Sequence, residues 1–113
     1  MKAFVVHSPG QASIEEVEPP TPQGNQVVVE IARAGVCGTD VEFFNGDMAY
    51  FKTGEAHYPM RLGHEWCGTV VSLGKDADRK WLGKRVTGDT MLGCQKCKRC
   101  LTGRQHVCAE RYE

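Results

Sequence analysis

Two groups of side chains in this sequence are of the types that hold metal ions. Cys37-Gly38-Thr39-Asp40 and, further along, Gly63-His64-Glu65 offer a thiol, a hydroxyl, an imidazole and carboxylates. Cysteine, histidine and glutamate ligands with one position left open make a catalytic zinc site. A metal so held polarises a carbonyl, or lowers the pKa of a bound alcohol, as a Lewis acid. On a locally extended backbone, residues i and i+2 point the same way, so Cys37 and Thr39 are expected to face one cavity. His64 and Glu65 would diverge on a regular strand. Gly63 permits an irregular turn that aims one of them at the metal, while the other orients the site or exchanges on and off. Taken singly, each residue has a plainer reading: a cysteine between glycines is commonly a small buried residue.

The second group is Cys94, Cys97, Cys100 and Cys108, a C-x₂-C-x₂-C-x₇-C pattern. Four thiolates make a closed tetrahedral zinc site that folds its own loop and leaves no position for substrate. Two rivals share these sulfurs. A ferredoxin-type iron–sulfur run also begins C-x₂-C-x₂-C, but its bacterial form continues x₃-C-P. Here the spacer is seven residues and no proline follows Cys108. A nucleic-acid zinc knuckle would suit the basic residues Lys96, Lys98, Arg99 and Arg104, yet no aromatic lies between Cys94 and Cys108 to stack a base. His106 is a spare donor beside Cys108. Cys67 reads as a small core residue, His7 and His57 as surface, and Trp66 and Trp81 as structural.

The elements that must position these residues are mostly strands. Val outnumbers Leu 12 to 5, which favours extended structure. Strands are expected over residues 1–7, 14–17, 26–34, 68–73 and 84–87. In the third, Val27, Val29 and Ile31 alternate with Val28, Glu30 and Ala32, giving one strongly apolar face. The prolines at 19, 20 and 22 force an extended connection. Asp40 is expected to cap a short helix over residues 41–45 that Gly46 stops. Residues 46–62 read as a long loop; within it and the preceding helix, Phe43, Phe44, Tyr50 and Phe51 serve a cleft or a core equally well. From residue 93 only the cysteine spacing is regular. Short strands with glycine-rich turns predict a mainly β domain, barrel-like or sandwich, with short helices.

Bulk properties narrow the function classes. Lys+Arg and Asp+Glu both total 14, so the net charge is zero and gives no reason to expect a nucleic-acid or anionic-membrane partner. No apolar run approaches the ~20 residues that span a bilayer, and no export signal is legible at the start, so a cytoplasmic protein with reduced thiols is expected. With reduced thiols, clustered cysteines favour metal over disulfides.

The motifs Gly35-Val36-Cys37-Gly38-Thr39-Asp40 and Gly63-His64-Glu65-Trp66-Cys67-Gly68-Thr69-Val70, then Gly74, resemble the amino-terminal part of the zinc-dependent medium-chain alcohol and polyol dehydrogenases. The resemblance implies a GroES-like, partly open β-barrel over residues 1–113 with a structural zinc lobe inside it. It makes Cys37 and His64 catalytic-zinc ligands, Glu65 a nearby or exchanging ligand, and Thr39 the first hydroxyl of a proton relay. It makes Cys94, Cys97, Cys100 and Cys108 the structural-zinc ligands. Simple alcohol dehydrogenases often carry a histidine three residues after the relay hydroxyl. Glu42 stands there in this chain, and with Asp40 it looks more like the sorbitol, threonine and glucose dehydrogenase branch, whose substrates are alcohols, polyols or sugars. The implied cofactors are zinc and NAD or NADP, and the implied full-length protein is a homo-oligomer. No two glycines stand two apart, so the G-x-G-x-x-G fingerprint of a dinucleotide site is absent. The last protein ligand of the catalytic zinc is missing too. The chain therefore reads as the front part of a longer dehydrogenase whose Rossmann domain is absent from it, inactive alone. The competing reading is a stand-alone zinc-binding module that uses only the four-cysteine set.

Overall fold

The chain opens on β1 (Lys2–Ser8), where both Val5 and Val6 are buried. Neighbouring residues on a strand face opposite sides, so burial of both means that β1 is covered on each face. Pro9 and Gly10 turn the chain into β2 (Gln11–Glu16), which begins earlier than the sequence suggests because it pairs with β1 along nearly its whole length. The computed structural model, which describes residues 1–110, continues with β3 (Val27–Ala34), α1 (Gly38–Asn45), α2 (Ala49–Thr53), β4 (Met60–Arg61), β5 (Trp66–Leu73), β6 (Arg85–Thr87) and α3 (Lys98–Leu101), with single 3₁₀ turns at Arg79–Trp81 and Gln105–Val107.

The mainly β class with short helices is what the structure has. The strands form two open antiparallel sheets, ordered β2-β1-β4 and β3-β5-β6. The buried apolar core is small: Val5, Val6, Val70 and Cys108 among the described residues. Truncating Val6, which is 0% exposed, to alanine removes two methyl groups from this core. The expected loss is about 2 kcal/mol, transfer and cavity terms together. Urea denaturation of the variant checks it.

Three local expectations are corrected. The apolar face of β3 is not buried as a face: Val27 and Ile31 are 37% and 50% exposed. Irregularities in its pairing with β5, between Val28 and Val29 and between Ile31 and Arg33, break the two-residue period that the alternation assumes. Helix α1 starts at Gly38 with Cys37 as its N-cap, not at 41 with Asp40. Asp40 is instead the third helical residue, and its Oδ2 accepts the Cys37 backbone N–H at 2.9 Å. Gly46 ends the helix as expected, at φ 82°. Finally, residues 46–62 are not a bare loop but carry α2 and β4. Aromatic packing orders them: Phe51 stacks on Tyr58 at 4.6 Å and meets Phe43 edge-on at 5.8 Å. The Tyr58 hydroxyl donates to the Phe43 carbonyl at 2.6 Å.

Candidate functional site

Cys37 lies between the end of β3 and the start of α1, and His64 and Glu65 lie just before β5. The pairing of β3 with β5 runs to Ala34 and Trp66, so the two segments leave the sheet side by side. The ladder continues one step further, with the Gly35 N–H donating to the Glu65 carbonyl at 2.8 Å. Gly63 takes φ 114°, the irregular turn that swings His64 off the strand direction. As a result the donor atoms of Cys37, His64 and Glu65 lie within 4.8 Å of one another. The Cys37 Sγ is 3.2 Å from His64 Nε2, near the edge of about 3.6 Å that zinc–sulfur and zinc–nitrogen bond lengths set in a tetrahedron. Cys37 and His64 are half-buried and Glu65 is exposed, so the cluster keeps an open side.

Thr39 sits half-buried in the first turn of α1. The extended backbone expected at residues 37–39 holds only at Cys37 itself (φ −117°, ψ −179°); Thr39 is helical. Asp40, next in the helix, is neither a solvated surface group nor free for a substrate. It is buried and occupied with the Cys37 N–H, which fixes the backbone that carries the thiol. Glu42 is exposed on the same helix and does not line the cavity beside His64.

That cavity, of about 620 Å³, runs from His64 and Asp40 past Phe43 and Tyr50 to Glu55, His57 and Arg61. Of the four aromatics, Phe43 and Tyr50 thus serve both cleft and packing. Phe44 lines a separate apolar hollow with Phe4 and Val41. The polar wall of Glu55, His57 and Arg61 escaped sequence reasoning. Only their place in a functional-length loop hinted at it.

The second cluster closes on itself. The Sγ atoms of Cys94, Cys97, Cys100 and Cys108 lie within 4.8 Å of one another. Cys94 and Cys100 are 4.0 Å apart and Cys97 and Cys108 are 3.9 Å apart. These are far longer than a disulfide and close to the about 3.8 Å edge of a four-thiolate zinc tetrahedron. Backbone N–H groups point at the sulfurs, from Cys97 to Cys94 Sγ and from Cys94 and Glu110 to Cys108 Sγ. The N–H groups of Cys100 and Ala109 pull the Cys97 thiol down to about 6, while burial pushes Cys100 up to about 12. Such a split is what crowded thiols show before a cation neutralises them. Asn25 Nδ2 donates to Gln95 Oε1 at 3.3 Å, tying this lobe to the segment before β3. His106 is exposed and stands outside the cluster. Among the described residues, no helix is long and apolar enough to cross a membrane.

The alcohol dehydrogenase GroES-like domain family matches residues 23–112. L-threonine 3-dehydrogenase of Cutibacterium acnes is 40% identical over 110 residues, covering 96% of this chain and 31% of the relative. Among solved structures, an alcohol dehydrogenase of Escherichia coli CFT073 complexed with NADH superposes with a TM-score of 0.83 at 32% identity. It covers 99% of this chain, which spans 31% of that protein. Galactitol-1-phosphate dehydrogenase of Escherichia coli gives a TM-score of 0.79 at 33% identity, with coverage of 98% and 31%. The chain thus spans about a third of the length of these proteins.

Proposed function

We propose, since this chain belongs to the alcohol dehydrogenase GroES-like domain family, that it is the catalytic-domain part of a zinc-dependent NAD or NADP alcohol or polyol dehydrogenase. The observation that carries this reading is the convergence of Cys37, His64 and Glu65, with His64 lining a cavity, on a domain that also brings four thiols together. In this reading Cys37 and His64 hold the catalytic zinc, with Glu65 as a direct or exchanging ligand. Cys94, Cys97, Cys100 and Cys108 hold the structural one. The donor sets fit: thiolate, imidazole and carboxylate with one open side, and a closed set of four thiolates.

Zinc in the first site supplies a Lewis acid that lowers the pKa of a bound alcohol. The chain's own residues do the rest. Asp40 holds the Cys37 backbone, and Gly63 aims His64. Thr39, two residues beyond Cys37 on the first turn of α1, takes the alcohol proton and passes it to solvent. A nicotinamide beside this site would take the carbinol hydrogen as hydride, the alcohol becoming a carbonyl and NAD(P) its reduced form. The nicotinamide would be bound by a Rossmann domain outside these 113 residues. Phe43 and Tyr50 give the cavity apolar walls, while Glu55, His57 and Arg61 offer hydrogen bonds to further hydroxyls. That supports a polyol or sugar over a simple apolar alcohol. The family resemblance also supports a cytoplasmic homo-oligomer.

The test is direct. The 113-residue chain, loaded with zinc and given NAD and a panel of polyols, should produce no NADH, whereas a longer protein carrying this region should. Turnover by the isolated chain, or inactivity of the longer protein on every alcohol, polyol and sugar tried, would sink the reading. The second outcome would favour a stand-alone zinc module.

A further inference from the structure

We propose that Gly35 is a positioning residue for Glu65: the missing side chain at 35 is the space in which the Glu65 carboxylate lies while it reaches the Cys37–His64 pair. The inference rests on the metal reading of that cluster and assigns a role to a residue that carries no ligand atom. An ideal Cβ at Gly35 would fall 2.6 Å from Glu65 Oε2, 3.0 Å from Glu65 Cβ and 3.5 Å from its Cδ. Real Cβ contacts are almost never that short, so a side chain at 35 and the carboxylate in its present place exclude each other.

Backbone conformation does not explain the glycine. Its φ lies outside the left-handed region, where an alanine would be comfortable. The demand comes from the close approach alone. That approach is fixed from the main-chain side as well, because the Gly35 N–H donates to the Glu65 carbonyl at 2.8 Å. The two backbones are therefore held close to one spacing, and a main-chain retreat of more than a few tenths of an ångström would lose that bond. Rotation of its side chain relieves the 2.6 Å contact with Oε2, while the 3.0 Å contact with Glu65 Cβ, which rotation leaves in place, asks only a few tenths of an ångström of the backbones. Glu65 is exposed, so the rotation goes into solvent and costs the fold little. It would cost the site its third donor. Gly35 thus separates two effects that usually come together, leaving the domain folded while moving a carboxylate that borders the metal.

The experiment uses the chain itself. One equivalent of zinc fills the four-thiolate lobe, and cobalt(II) then reports the Cys37–His64–Glu65 site through its thiolate charge-transfer and d–d bands. The wild-type chain should take one cobalt. Gly35→Ala should weaken cobalt binding by about tenfold and alter the d–d band, the size of effect that loss of an orienting partner has at metal sites. It should keep its lobe zinc. In a Glu65→Ala background, where there is no carboxylate to displace, Gly35→Ala should add less than about twofold.

Unchanged cobalt affinity and spectrum in Gly35→Ala would overturn the proposal while leaving the metal site standing. An equal loss in the Glu65→Ala background would overturn it too, since the effect would then lie in the backbone. Loss of the lobe zinc in Gly35→Ala would mark a global defect and also count against it. Failure of the wild-type chain to bind cobalt at all would remove the metal reading, and this inference with it.

Discussion

Replacing Cys97 with serine should cost the protein one zinc ion per chain and the order of residues 94–108 together. The lobe has little else to hold it. Helix α3 is four residues long, far too short to be stable alone, and Cys108 is the lobe's sole member of the buried apolar core. Binding of structural zinc to small domains is worth about 10–16 kcal/mol in apparent terms near neutral pH, and that free energy is the folding free energy of the lobe. Cys97 is the natural first thiolate, because the N–H groups of Cys100 and Ala109 already draw its proton off. Serine keeps the size and loses the soft ligand. Zinc content by mass spectrometry and protease sensitivity of residues 94–108 read the two effects. The Cys37–His64–Glu65 cluster is built on β3, α1 and β5, not on the lobe, so a weaker second metal site should survive. Loss of all metal binding would instead favour the stand-alone module.

The same site fixes a pH dependence. Zinc takes thiolates, so protons compete with it. Cys100, held protonated by burial, gives up its proton only to the metal. Binding near neutral pH should therefore release protons, visible as a calorimetric heat that changes with the ionisation enthalpy of the buffer. Acid should release the metal, and affinity should rise with pH through the range around 6, where Cys97 in the metal-free lobe deprotonates.

How much of this was legible in the sequence follows from the kind of signal each part sends. The cysteine spacing places four sulfurs on one short loop whatever the rest of the chain does, and the structure brings those four together. Gly63 before His64-Glu65 was legible for a related reason: a glycine there announces an irregular turn, and φ 114° is that turn. The exposure of β3's apolar face was not legible, because nothing local in Val27 to Ile31 announces the two irregularities that break the alternation. Asp40 misled for a subtler reason. An aspartate before an apolar run looks like an N-cap, but Cys37 takes the cap and the aspartate reaches back to its N–H. The Gly35–Glu65 contact and the Glu55–His57–Arg61 wall were invisible, since they exist only once β3, β4 and β5 are set beside one another.

In a longer protein that carries this region and has the proposed activity, Cys37→Ser and Thr39→Ala should both reduce turnover, with different signatures. Cys37 touches the metal in the proposed reading. Losing it should remove the charge stabilisation that a Lewis acid gives, several kcal/mol, or about a thousandfold in kcat/KM at 1.36 kcal/mol per decade. The catalytic metal should go with it while the lobe zinc stays. Thr39 holds no metal, so Thr39→Ala should keep both ions and bind substrate nearly as before. Its loss should appear in kcat, by about 10²–10⁴, the range for a positioned acid–base group. Raising the pH should recover part of that loss, because a substrate alcohol that ionises more readily depends less on a relay. Thr39→Ser keeps the hydroxyl and should retain most activity. If Thr39→Ala raises KM with kcat unchanged, the hydroxyl binds substrate and the proton leaves by another route. The helical placement of Thr39, away from the cavity lining, makes this the sharper of the two tests. The cluster of Cys37, His64 and Glu65 could survive as a metal site under either outcome, but the proton path proposed through α1 survives only the first.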